Sequence, residues 1–460
     1  MTETTMSDMG AALYPPHVMP PTRQMSQIEV MYKLGRNALL TLPEPVYREP
    51  IFVASGLYDV AFICDPDLIK TVLLDGAERY PKDGYQKRMF EPLLGDSILT
   101  AEGESWRWQR RTAAPLFRMA DILDYVPTMS EAAEAIVRDW RAARPGEVRA
   151  IDKDMMRVTF NVISHTILAG GGHGVSAAIE KGRMDYFRGV NWWYLYTRFN
   201  LPHWMPRPGG RRMRAQERRL RAAAADLIAE RRPTAHLSDD ILSRLIAAVD
   251  PETGQSMSDT QLVDNILAFL LAGYDTTATA LTWTLYLLSQ SPEWAGRLEA
   301  EIDEVIPEGP ITAEHVDRLT KVQQVLKEAM RMYPPAPTVQ RYTREDVRLG
   351  GRDIKAGTLL VIPIYAIHRH QKLWDDPNRF DPDRFAPERE AAYSRYQFMP
   401  FGGGPRICIG ASFALIEATV ILATLVRAAR FDYAAANAPW PVARMFLTPK
   451  DGMPMRVNPR

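Results

Sequence analysis

Phe401-Gly402-Gly403-Gly404-Pro405-Arg406-Ile407-Cys408-Ile409-Gly410 decides how the rest of this 460-residue chain is read. Three consecutive glycines permit a tight turn and let the backbone approach a flat ligand closely, with Phe401 capping the loop. Cys408 then leads into Ala411-Ser412-Phe413-Ala414-Leu415-Ile416-Glu417, a helix-prone run. The amides and dipole at the start of such a helix favour a thiolate over a thiol, and a thiolate is a metal ligand or a nucleophile. Arg406 adds a fixed cation that suits a carboxylate of the ligand.

The stretch satisfies Phe-x-x-Gly-x-Arg-x-Cys-x-Gly at each fixed position, and through it the chain resembles the cytochrome P450 family. The resemblance implies a heme b cofactor (iron protoporphyrin IX) whose iron is held by Cys408, the metal ligand, with Phe401, Arg406 and Gly410 in the cofactor site. The plain alternative is a glycine loop around an ordinary buried cysteine. The other motifs choose between them.

Ala272-Gly273-Tyr274-Asp275-Thr276-Thr277 places polar groups inside a strongly apolar helix, which is costly unless they have partners or work. Gly273 removes a side chain where something must approach the helix, and Thr276 can bond back to a carbonyl one turn earlier. A kinked core helix with satisfied polar groups reads the same way. The family resemblance implies instead an oxygen-activating acid–alcohol pair, Asp275 relaying protons from solvent and Thr276 holding the activated oxygen and its water within hydrogen-bond reach.

Glu328 and Arg331 stand three apart and can pair on one helix face, a spacing common on solvated helices. Tyr333-Pro334-Pro335-Ala336-Pro337 follows them, and Phe380-Asp381-Pro382-Asp383-Arg384-Phe385 comes later, both in family order. The implied role is a buried network of Glu328, Arg331 and Arg384 that braces the cysteine loop. Trp106 and Arg110, four apart in Trp106-Arg107-Trp108-Gln109-Arg110, share a helix face. With Arg341 and Arg406 they match positions that hold the heme carboxylates. Two departures, His370 after His368-Arg369 and Asp383 before Arg384, lie away from the chemistry.

Composition fits these readings. Hydrophobic residues at 46% and charged residues at 24% describe a globular chain, and 56 basic residues offset 56 acidic ones. That balance argues against a nucleic-acid partner. Cys64 and Cys408 are too few for a disulfide framework, so a reducing, cytoplasmic setting is expected, with Cys64 a small core hydrophobe in the strand-like run from Asp59. The best apolar runs, Ile266 to Gly273 and Ala418 to Val426, fall short of the ~18 residues of a membrane span, so none is expected.

The expected fold is mainly α with a small β region, the cytochrome P450 fold. Residues 1–32 are expected as a loose Pro-rich tail and 33–460 as one domain, with strands and turns from Leu349 to Ile367 and a strand-like Arg444-Met445-Phe446-Leu447. The arginines from Arg207 to Arg221 read as a solvated helix face. The aromatic segment Tyr186, Phe187, Trp192, Trp193, Tyr194, Tyr196 and Phe199 reads equally as core or as the roof of a pocket.

The resemblance implies a monooxygenase that inserts one atom of O2 into an apolar small-molecule substrate, hydroxylation being the default. A heme-thiolate peroxygenase or isomerase, and a non-catalytic heme-binding protein, are the alternatives. With no flavin or iron–sulfur unit in the sequence, electrons are expected from a separate ferredoxin or flavodoxin-type donor and its reductase, and Arg107 and Arg111 could meet an acidic partner. Pocket contacts are expected from Gln86 to Leu99, the segment near Trp192, Ala268, Phe269, Ala272, Thr338-Val339 and the turn near Phe446.

Overall fold

A 31-residue helix, Asp259–Ser289, is the axis around which the chain is arranged in the computed structural model. The structure describes residues 12–460 apart from 24, 57–58, 83, 145, 169–204, 206–209 and 239. Ser258 starts this helix with a capping box: its hydroxyl accepts from the Gln261 amide while Gln261 reaches back to the Ser258 amide. Almost every side chain from Leu262 to Leu288 is then buried, so the helix is apolar all round and sits inside the core.

The longer helices among the described residues are α1 (Gln27–Arg36), α2 (Gly84–Leu94), α3 (Gly103–Ala113), α4 (Val126–Arg141), α5 (Ile151–Leu168), α6 (Gly210–Arg231), α7 (Asp259–Ser289), α8 (Pro292–Val305), α9 (Thr320–Met332) and α10 (Ala411–Ala428). Helix α5 packs along α7, and α10 packs against α4. By length and composition α10 would cross a membrane, with a mean hydropathy of 1.7, but 67% of it is buried inside the fold, as a core helix should be.

Strands β1 (Ile51–Ala54), β2 (Val60–Ile63), β3 (Val339–Tyr342) and β4 (Leu359–Ile362) form one sheet in the order β1-β2-β4-β3. Its β3–β4 pairing sets Arg341 opposite Leu360. A hairpin of β5 (Pro441–Ala443) and β6 (Leu447–Pro449) interrupts the strand expected at Arg444 to Leu447: Arg444, Met445 and Phe446 are its turn. That turn frees the last two side chains to reach the site.

Two further expectations need correction or placing. The loose tail does not extend to residue 32: the Phe380 amide donates to the Leu13 carbonyl at 2.9 Å, Tyr333 donates to Pro16 O at 2.7 Å, and the Val18 amide donates to the Tyr365 hydroxyl at 3.0 Å. On α6, Arg211, Arg212, Arg214, Arg218 and Arg219 are exposed as expected, whereas Arg207 and the aromatic segment from Tyr186 to Phe199 lie outside the described residues.

Candidate active site

The cysteine loop is closed by the Cys408 amide donating to Phe401 O at 3.0 Å. Gly402 and Gly404 have φ of +74° and +69°, the left-handed region that favours glycine. Any side chain at Gly404 would run into the Leu73 carbonyl, and one at Gly403 would lie 2.8 Å from the Tyr396 ring. Gly403 and Gly404 therefore make room for protein neighbours, while the side-chain direction at Gly402 is open. At Gly410, the residue before α10, the side-chain direction is open.

Cys408 lies deep in the fold and yet is open to solvent, so it stands at the floor of a hollow. Burial pushes its thiol up, while the Gly410 amide and Arg110 pull it back down. The helix start favours the thiolate as expected, but burial outweighs it until a cation sits on the sulfur. Among the described residues no three His, Cys, Asp or Glu side chains cluster as a metal cage. A metal on Cys408 therefore needs a ligand frame of its own, as a porphyrin provides.

Around the hollow stand four cations: Arg110, half-buried and coupled to Cys408, Arg341, Arg406 and Lys82. Lys82 and Arg341 meet in an isolated β-bridge. Burial and repulsion from Arg406 and Arg341 push the Lys82 ammonium down to about 7, and burial with Arg406 pushes Arg341 down to about 10. Their hydrogen bonds go to carbonyls: Lys82 to Leu99 O, Arg341 to Gln340 O at 2.7 Å, Arg406 to Ala101 O at 2.9 Å. The Arg406 guanidinium lies over Trp106 at 4.4 Å. Among the described residues Glu102 is the carboxylate that offsets Lys82, Arg341 and Arg406. Such a cluster, short of counter-charge, fits a ligand with two carboxylates, which is what heme has. Sequence reasoning missed Lys82, which belongs to no motif; only its folding against Arg341 reveals it.

The bracing network forms as expected and is wholly buried. Arg331 grips both Glu328 oxygens, at 2.6 and 2.8 Å, and donates to the carbonyls of His368, Pro377 and Arg379. Arg384 stands 3.7 Å from Glu328. His368, also missed, carries the brace to the loop: its Nε2 accepts the Met399 amide at 3.0 Å, two residues before Phe401. Its Nδ1 faces Arg331 O at 3.2 Å. Burial and the neighbouring guanidinium groups push His368 down to about 3, so it is neutral and can accept at Nε2.

Ala272 and Thr276 of α7 line a cavity of about 170 Å³ with Lys82, Phe90, Leu94, Leu271 and Phe446. Thr276 donates to Ala272 O at 2.9 Å, as its sequence position predicts, and α7 runs on unbroken. Asp275 is buried. Gly273 faces elsewhere: a side chain there would meet Ile163 of α5 at 2.8 Å, so the glycine serves helix packing. Ala268 and Phe269 are core residues outside the cavity wall, Phe269 packing edge-on to Phe117 at 5.5 Å. Glu417 on α10 is fully buried beside Thr277 and pushed up to about 8 by burial, hence neutral near pH 7. Neither Arg107 nor Arg111 is a free cation: Arg107 pairs with Glu78 at 3.2 Å, and Arg111 holds both Asp250 oxygens at 3.1 Å.

The loop between α2 and α3 forms another wall through Leu99 and Thr100. It is pinned from α7, where Asp264 accepts the Asp96 amide at 3.0 Å and Asn265 accepts the Ile98 amide at 2.9 Å. Arg221 of α6 pairs with Asp264 at 2.8 Å, and Gln109 of α3 receives a bond from Asn265 at 2.9 Å. Gly95, with φ of +50°, leaves the space Asp264 fills. Asp264→Ala should therefore cost about 1–3 kcal/mol in urea unfolding and speed amide exchange at Asp96 to Ile98; wild-type exchange there would refute the pinning.

Comparison with known proteins meets this geometry. A family model described as Cytochrome P450 matches residues 45–455, and the chain belongs to that family. A cyclooctat-9-en-7-ol 5-monooxygenase of Streptomyces melanosporofaciens is 32% identical, over 83% of this chain and 82% of the relative. A pentalenene oxygenase of Streptomyces avermitilis is 32% identical, over 79% and 80%. The crystal structure of the cytochrome P450DA heme domain superposes with a TM-score of 0.78 at 26% identity, covering 90% of this chain and 89% of that one. The chain is accordingly a cytochrome P450 monooxygenase, an oxidoreductase that takes heme as cofactor.

Proposed function

We propose that this monooxygenase hydroxylates an organic substrate with an apolar body, drawing electrons from a separate ferredoxin or flavodoxin-type protein and its reductase. One oxygen atom of O2 enters a C–H bond and the other leaves as water, consuming two electrons and two protons. The observation that carries the reading is the pairing of an open cysteine ringed by unbalanced cations with a threonine on the wall of an apolar cavity. The relatives named as a 5-monooxygenase and an oxygenase support oxygen insertion.

Heme b, when bound, supplies O2 reduction and oxygen transfer. Cys408 holds its iron as a thiolate, a strong electron donor. Lys82, Arg341 and Arg406 hold its two carboxylates, Trp106 supports Arg406, and Arg110 stabilises the thiolate charge. Phe401 and Gly410 shape the loop on either side of the cysteine.

Thr276 donates its hydroxyl hydrogen bond to the Ala272 carbonyl, so its oxygen keeps lone pairs free and can hold a water by accepting from it. Asp275, the preceding residue, is the buried acid that resupplies protons to that water. The apolar walls limit other water, which makes delivery selective.

Thr276→Ala should retain heme while product formed per electron falls several-fold and hydrogen peroxide rises. Unchanged coupling would remove Thr276 from proton delivery. Product formed with added peroxide but none with O2 and electron donors would assign the chain to the peroxide-driven class instead.

A further inference from the structure

The cavity beside α7 carries a charge asymmetry that its apolar walls do not account for. Lys82 and Lys87 are the charged residues on it, and no carboxylate lines it among the described residues. Lys82 is committed to the Leu99 carbonyl and to the cation group around the hollow. Around that hollow stand four cations, and among the described residues one carboxylate, Glu102, faces them. Glu102, the Cys408 thiolate that Arg110 faces and the two carboxylates of a heme match those four cations, so Lys87 is the cation left over on the cavity.

Lys87 is uncommitted. It is exposed at the cavity edge and makes no ion pair among the described residues, although Glu91 follows four positions later on the same helix. Lys and Glu at that spacing ordinarily meet on an exposed face. Lys87, Phe90 and Leu94 instead share one stripe of α2, three and seven positions apart, and all three line the cavity. An ammonium group, two apolar side chains and the far wall at Ala272 and Thr276 thus address one space.

We propose that the substrate is an amphiphile whose apolar body fills this cavity toward Ala272 and Thr276 and whose single anionic end, a carboxylate or sulfate, pairs with Lys87. The inference rests on the monooxygenase reading and narrows its substrate class. It also sets direction: an anion held at the rim turns the opposite end of the body toward Thr276, so oxidation falls remote from the anionic group. An ion pair at a solvent-facing rim is screened, so the preference it confers is modest, about three- to tenfold.

Calorimetric titration of the heme-loaded chain with two acid–alcohol pairs, dodecanoate with dodecanol and abietate with abietinol, tests it. In at least one pair the acid should bind about three- to tenfold tighter than the alcohol, and high salt should erase the difference. Lys87→Ala should abolish the preference without weakening the alcohol, and Lys87→Arg should keep it. Equal affinities in both pairs, no binding of either acid, or a preference that survives in Lys87→Ala would overturn the proposal. The carbon monoxide spectrum of the same samples tests the monooxygenase reading separately, since Lys87 lies outside the cysteine loop.

Discussion

Replacing Arg331 with alanine should yield a chain that unfolds at much lower urea and retains little heme. The Glu328 carboxylate would stay buried with its bidentate partner gone, a loss of about 3–5 kcal/mol. The carbonyls of His368, Pro377 and Arg379 would lose their donor at the same time. Because His368 holds the Met399 amide, the damage reaches the cysteine loop and not only α9. Arg331→Lys should fare little better, since one ammonium cannot replace a planar fork that serves two carboxylate oxygens and three carbonyls. Urea midpoints and heme per chain measure both effects; a wild-type midpoint in Arg331→Ala would refute the brace.

Cys408→Ser should do the reverse, sparing the fold and abolishing the chemistry. The Cys408 side chain opens into the hollow, so the heme-free variant should unfold within about 0.5 kcal/mol of the wild type. Its alcohol stays protonated where the thiol can ionise, so the strong electron donor is lost and oxygen transfer with it. Heme content, unfolding and product formation separate these outcomes. Oxygen-dependent product from Cys408→Ser would break the link between cysteine and reaction.

What the sequence made legible was local. Phe401 to Gly410 is contiguous, and Glu328 with Arg331 lies within one helical turn, so pattern and period alone expose them. Lys82, His368 and Asp264 escaped because each acquires meaning from a distant partner: Arg341 across a β-bridge, Met399 across the brace, and Arg221 across two helices. Gly273, Gly403 and Gly404 were legible as close approaches, but not what approaches them; Ile163, Tyr396 and Leu73 are remote in sequence. The bidentate pairing of Arg111 with Asp250, 139 positions away, was likewise out of reach of the sequence.

The most direct test of Cys408 as a thiolate ligand to heme iron is the absorption spectrum of the reduced protein under carbon monoxide. The band of a thiolate-ligated heme should appear in the wild type and vanish in Cys408→Ser. A band typical of histidine ligation in the wild type would contradict the account.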